Sequence, residues 1–162
     1  MITDIATAAR TSVGRVRTAL SIVTLLWIAV AQAQTPAGWL PTQEQDARAR
    51  ETVAKFISAV DGGRAAEAYD LLSPAMRATT GRLQYESYVQ ELGRLSGSRI
   101  GRQAPRVSWF KDPPGAPVAG IYAWFRISCE FSNLKSCDED IMLHEEPGGA
   151  FLVARSQRNY LR

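Results

Sequence analysis

The stretch Ile121–Glu145, IYAWFRISCEFSNLKSCDEDIMLHE, decides the fold. Ile121, Ala123, Phe125 and Ile127 recur at every second position, the period of a half-buried strand. After Cys137, Ile141 and Leu143 do the same. Cys129 and Cys137 stand at the two ends of a loop, Glu130 to Ser136, and two cysteines in an oxidising compartment pair. Placed opposite one another, they fix a hairpin register. Ile127 then faces Glu139, Phe125 faces Ile141, Ala123 faces Leu143 and Ile121 faces Glu145, which gives a predominantly apolar face. The other face sets Tyr122 against His144, Trp124 against Met142, and Arg126 against Asp140 as a cross-strand ion pair. Disulfide, alternation and charge pairing agree on one register.

Working outward, the segment before this hairpin changes period. Thr42 with Gln45 reads as a capping box, and Val53, Phe56, Ile57 and Val60 mark one buried helical face up to Gly62-Gly63. A second helix is predicted from about Arg64 to Leu72, broken by Ser73-Pro74. A third runs from about Leu83 to Leu95 with Tyr85, Tyr88, Val89 and Leu92 on one core stripe, and ends at Ser96–Gly101. Strands are predicted at Ala104–Phe110, Ala119–Phe131, Asp138–Glu146 and Ala150–Leu161, with turns at Asp112–Pro117 and Pro147-Gly148-Gly149. Helices first and an antiparallel meander after them is the α+β pattern: three helices on one face of a curved four-stranded sheet.

The first 33 residues read as a secretory signal peptide. Arg10, Arg15 and Arg17 form a positive leading region, Ala19–Ala31 is uncharged and mostly apolar, and Ala31-Gln32-Ala33 is a small-x-small site that sets cleavage between Ala33 and Gln34. The apolar stretch is shorter than the ~20 residues a spanning helix wants, so no membrane span is expected after cleavage. The expected organisation is a signal peptide at 1–33, a lead-in at 34–41 and a single domain at 42–162. The export route implies the periplasm or secretion. The whole chain has a pI near 9.1. Without the leader it holds 16 basic and 15 acidic side chains, and no Lys/Arg run that could track a nucleic-acid backbone.

Few residues invite chemistry. His144 is the single histidine, without a G-x-S-x-G elbow, and is expected as an exposed strand residue beside Tyr122. The two cysteines lack the Cys-x-x-Cys spacing of a redox pair, and with one histidine they fall short of the four ligands of structural zinc. Asp138-Glu139-Asp140 and Glu145-Glu146 are expected to be solvated, because strand neighbours point to opposite faces. No catalytic, cofactor or metal residue is therefore assigned, and no cofactor is expected. Arg155 is a pocket candidate that depends on the turn. With three turn residues, Glu146 faces Ala150 and Arg155 joins the apolar face, where a charge needs a partner or a cavity. With two, it faces solvent.

Several short motifs carry a resemblance. Pro114-Gly115-Ala116-Pro117 leads into Gly120-Ile121-Tyr122; Asp61-Gly62-Gly63 ends a helix with Tyr69 downstream; Gly148-Gly149-Ala150-Phe151 precedes a last strand ending in Asn159-Tyr160. Over roughly Val53 to Leu161 the chain resembles a bacterial family, domain of unknown function 4019. It departs from the usual pattern in having aromatics other than Trp at Tyr69, Tyr85 and Phe151. The resemblance implies export, no established activity, and an element order similar to the nuclear transport factor 2-like cone. That class includes isomerases, dehydratases and epoxide hydrolases as well as many non-catalytic members, so fold analogy alone does not choose. The expectation is a small exported domain that binds a small ligand or an envelope partner without catalysis. The alternatives are a cone-pocket enzyme using acid–base chemistry on a small apolar molecule, and a structural interaction module presenting Tyr122, Trp124 and Met142 on the outer sheet face.

Overall fold

A computed structural model describes residues 39–160. The leader, its Ala33–Gln34 site and the start of the lead-in lie outside the described residues. Four helices, α1 Gln43–Asp61, α2 Ala65–Asp70, α3 Pro74–Thr79 and α4 Arg82–Ser96, precede five strands. These are β1 Arg99–Arg102, β2 Arg106–Lys111, β3 Ile121–Phe131, β4 Leu134–Glu145 and β5 Phe151–Tyr160. All pairings between these strands are antiparallel. The sheet order is β1-β3-β4-β5, and β2 shares with β1 the same edge of β3. The class and element order are those implied by the resemblance, with one more helix and one more strand than the sequence pattern suggests.

Both additions have local causes. Ser73-Pro74 does not only stop α2; it starts α3. Ser73 caps the new helix by accepting from the Met76 N–H at 3.2 Å, and Pro74 sits in the first turn, where a missing N–H costs nothing. β1 escapes notice because it is short and contains Gly101. At the start of α1 the capping box forms: Thr42 Oγ1 accepts from the Gln45 N–H at 3.1 Å, and Gln45 Oε1 accepts from the Thr42 N–H at 2.9 Å. Gln45 Nε2 also donates to Glu145 Oε2 at 2.9 Å, tying the helix start to the end of β4.

The hairpin register is the one that the cysteines set, from Tyr122↔His144 through Cys129↔Cys137. The loop between them is not open. β3 and β4 run on to a two-residue turn, Ser132-Asn133, with Phe131 opposite Leu134. The disulfide between Cys129 and Cys137 therefore lies inside the ladder, with Cα atoms 5.1 Å apart. Replacing both cysteines with serine is expected to cost about 2–3 kcal/mol on the chain-entropy model. It would be read as a lower urea midpoint with a steeper slope, because the unbridged unfolded chain is more expanded.

Helices cover the inner sheet face. Ala49, Val53, Phe56 and Ile57 of α1 and Tyr85 and Val89 of α4 pack on Phe125, Ile127, Ile141, Leu143, Phe151 and Val153. The α2–α3 junction closes part of the β5 edge, where Ser73 N–H donates to the Val153 carbonyl at 2.8 Å and Val153 N–H to the Leu71 carbonyl at 2.9 Å. Two bulges decide which side chains reach this interior. At Ile100, β1 carries an extra residue between Arg99↔Phe131 and Gly101↔Glu130. Arg99 and Arg102, three apart, would otherwise point to opposite faces; the bulge turns both inward. At Ala154, β5 carries an extra residue between Leu143↔Val153 and Met142↔Arg155.

Candidate functional site

The Ala154 bulge overturns the pocket role of Arg155. The turn does have three residues, with the Glu146 N–H donating to the Ala150 carbonyl at 2.7 Å. The extra residue then re-aims Arg155 to the outer face beside Met142, where it is exposed and donates to Gln157 Oε1 at 2.9 Å. Arg158 takes the inner position instead, opposite Glu139.

Glu139 is not a solvated acid: it is 5% exposed and sits among three arginines. Arg158 Nη2 donates to Glu139 Oε1 at 2.7 Å, Arg102 Nη2 to Oε2 at 2.8 Å, and Arg99 Nη2 to Oε1 at 3.3 Å. Asp61, at the end of α1, adds a second carboxylate, reached by Arg99 Nη2 at 2.5 Å. Arg158 Nη1 donates to Ser96 Oγ at 2.8 Å. Phe131 lies against two of the guanidinium groups, 4.4 Å from that of Arg99 and 4.3 Å from that of Arg158. Burial pushes the Glu139 carboxyl up, but the charges of Arg102, Arg158 and Arg99 outweigh it and hold it below the usual carboxylate range. Such a group stays ionised and makes a poor proton donor.

The cluster stands at the mouth of the helix–sheet interior. Beside it, Phe56, Ile57, Tyr88, Leu92, Ile141 and Ser156 enclose a cavity of about 20 Å³. That is room for one water molecule. Tyr88, expected in the core, is 47% exposed at this rim, whereas Tyr85 is buried.

His144 is also placed differently from expectation, at 5% exposed. Its Nδ1 lies 3.0 Å from Glu146 Oε1 and its Nε2 3.4 Å from the Ala119 carbonyl oxygen. Both partners are acceptors, so a doubly protonated ring donates at both ends and a neutral one at a single end. The ring lies on Tyr122, centroids 4.7 Å apart, and the Tyr122 hydroxyl donates to the Val118 carbonyl at 2.7 Å. Burial pushes the Tyr122 phenol up, which keeps that donor protonated. Ser73, Pro117, Val118, Tyr122, His144 and Glu146 are among the residues around a cavity of about 80 Å³. Gly120, at φ +149°, crosses directly over the imidazole; a Cβ there would sit 2.6 Å from Nε2. Gly120→Ala is therefore expected to cost about 1–3 kcal/mol. In a urea titration of the double variant with His144→Ala, the two losses should sum to less than their separate values.

A family model described as "Protein of unknown function (DUF4019)" matches residues 52–155. The chain belongs to that family. No curated protein matches it. Among solved structures it is similar to ActVI-ORFA from Streptomyces coelicolor, 11% identical over 74% of this chain and 96% of that one, TM-score 0.48. It is similar to Aln2 from a Streptomyces species, 11% identical over 75% and 94%, TM-score 0.49. A third similar structure is a Catenulispora acidiphila protein in complex with S-DNPA, 14% identical over 74% and 95%, TM-score 0.47.

The outer face of the sheet in this family member carries aromatic side chains and charges of both signs. Arg126 Nε donates to Asp140 Oδ1 at 3.0 Å, and its guanidinium lies 4.8 Å from the Trp124 ring centre. Trp124 Nε1 donates to the same Asp140 oxygen at 3.1 Å, and Asn159 Nδ2 to Asp140 Oδ2 at 3.0 Å. Phe110 packs on Trp124, centroids 6.4 Å apart. Tyr122, expected to add to an apolar patch here, is buried at 1% under the Val118 loop. Of these features the sequence register places Arg126, Asp140 and Trp124 together. It misses Arg99, Arg102 and Arg158, whose only signal is Glu139 sitting opposite Ile127 on an otherwise apolar face.

Proposed function

We propose that the protein is an exported, non-catalytic binding module, periplasmic or secreted, that engages an envelope partner through its surface. The filled interior carries this reading. Phe56, Ile57, Phe125, Ile141 and Leu143 occupy the space between helices and sheet, the ion cluster closes its mouth, and the cavity beside that cluster holds about 20 Å³. Ligand sites for small molecules are some 300–1,000 Å³. The buried acid at the mouth is fixed in its charged form by arginines, which suits a structural clamp and not proton transfer. Export is supported by the leader pattern and by the disulfide. Among the described residues no helix is long and apolar enough to cross a membrane.

A thermal-shift screen of residues 34–162, disulfide formed, tests the reading. A ligand at a hundred times its dissociation constant adds about 2.7 kcal/mol of stability. Fatty acids, sterols and small aromatics are expected to give no saturable shift. A shift that saturates and is lost on Ser156→Met, which fills the cavity, would overturn the reading and open the interior to ligands.

A second reading, acid–base chemistry on a very small molecule, has one observation in its favour: the His144–Glu146 pair beside Ser73 and Tyr122 at the 80 Å³ cavity. Turnover lost in a His144→Gln variant that still folds would establish it.

A further inference from the structure

We propose that the Asp112–Gly120 loop is a pH-operated lid, latched by the His144 imidazolium over the cavity beside it and released when the ring loses a proton. This goes beyond the surface-binding reading, which leaves that part of the molecule idle. The loop joins β2 to β3, and two bonds close its neck. The Asp112 N–H donates to the Gly120 carbonyl and the Gly120 N–H to Asp112 Oδ1, each at 2.8 Å. Beyond the neck, two side chains hold the last turn of the loop down. The Tyr122 hydroxyl donates to the Val118 carbonyl, and His144 Nε2 faces the Ala119 carbonyl. Pro117 and Val118 thereby roof the cavity of about 80 Å³, whose floor includes Ser73 from the α2–α3 junction and Ala154, the bulged residue of β5.

The ring is the tether that can change. Two acceptors bracket it: Glu146 Oε1 lies 3.0 Å from Nδ1, and the Ala119 carbonyl oxygen 3.4 Å from Nε2. An imidazolium donates to both. A neutral ring has one proton, and the carboxylate, charged and nearer, holds it on Nδ1. The Nε2 lone pair then points at a carbonyl oxygen, and an attraction becomes a repulsion. Gly120 passes so close that a Cβ there would sit 2.6 Å from Nε2, so the ring has no room to turn on that side. The strain falls on the loop.

The surroundings of the ring fix the sign. Among the described residues that line the cavity, Glu146 from the β4–β5 turn and Tyr122 from β3 are the other titratable side chains, and no lysine or arginine joins them. The start of α3 contributes Pro74 and Ala75, and β5 sets the apolar Leu152 opposite His144. The loop brings one charge, Asp112, which is engaged at the neck. Burial keeps the Tyr122 phenol protonated, so its tether persists. An imidazole ordinarily changes charge between pH 5 and 8, which a phenol or a carboxylate does not. The lid is therefore latched on the acid side of that interval and free on the alkaline side.

Hydrogen exchange by mass spectrometry, corrected for its intrinsic pH dependence, reads the lid in residues 34–162 carrying no added histidine. Opening of the 113–120 segment is expected to rise at least tenfold from pH 5 to pH 8, while peptides from the β3–β4 hairpin stay unchanged. His144 is the single histidine of the chain, so its Cε1–H resonance follows this ring alone. The midpoint of that resonance should coincide with the midpoint of opening. His144→Gln has no titrating ring and should remove the pH dependence. Glu146→Gln should move both midpoints down together, because the ring loses the charge that favours its protonated form. The two midpoints of the unsubstituted protein decide the outcome even where a variant does not fold. Exchange in the loop that ignores pH, an equal rise across the hairpin, midpoints that do not coincide, or a rise that persists in folded His144→Gln would overturn the proposal. Turnover, the readout of the acid–base reading, plays no part in this test, so either idea can fail without the other.

Discussion

Glu139→Ala is expected to destabilise the domain by about 3–5 kcal/mol, the cost of removing one partner from a buried ion pair. The reason is charge count. Arg99, Arg102 and Arg158 share Glu139 and Asp61, and Arg158 has a side chain only 5% exposed. Without Glu139, three guanidinium groups depend on one carboxylate at the end of α1. Among the described residues, Arg99 Nη1 and Arg102 Nε already have no hydrogen-bond partner. A small domain has only about 5–15 kcal/mol in total, so the variant should sit near the limit of folding. Glu139→Gln keeps the shape and provides the measurable step if alanine does not fold. The same residue sets an acid response. Its folded carboxyl lies below the ordinary value of 4.5, so below that pH the unfolded chain binds more protons than the folded one. The Glu139 contribution is complete above about 4.5 and is lost as pH falls through the lower folded value. Urea midpoints from pH 7 down to 3 should fall less steeply in Glu139→Gln than in the unsubstituted protein. Equal slopes would mean that other carboxylates govern acid unfolding.

Phe131→Ala is the second large effect, about 3–5 kcal/mol for an aromatic removed from a packed site. Phe131 is 3% exposed, and its ring is the surface on which Arg99 and Arg158 rest. Phe131→Leu separates the two roles: it retains bulk and loses the ring face, for an expected cost of about 1–2 kcal/mol from cation–π contacts in a dry site. A cycle of Phe131→Leu with Glu139→Gln should show coupling above about 0.5 kcal/mol. Additivity would mean that the ring packs beside the arginines without holding them.

The hairpin is legible in the sequence because three independent signals converge on one register: the cysteines, the apolar alternation and the Arg126/Asp140 pair. The capping box and the Asp61-Gly62-Gly63 stop are legible because each is a local chemical necessity. The buried cluster is not, because it joins four separate elements and depends on bulges. A bulge leaves no residue signature at Ile100 or Ala154, yet it reverses the face of everything beyond it. Parity alone points Arg155 inward and Arg158 outward, for want of that one residue. His144 reads as exposed because the loop that covers it, ending in Gly120, comes from before β3, and the period of β4 says nothing of it.

Ala154 is to β5 what a dislocation is to a crystal. On either side of it the pairing with β4 is regular, from Glu145↔Phe151 to Leu143↔Val153 and again from Met142↔Arg155 to Cys137↔Tyr160. Excising that single residue would heal the slip and leave every one of those pairs as it is. What would vanish is the local bend that the defect concentrates, so the strand's curvature can be altered by one deletion while the side chains on both faces keep their neighbours.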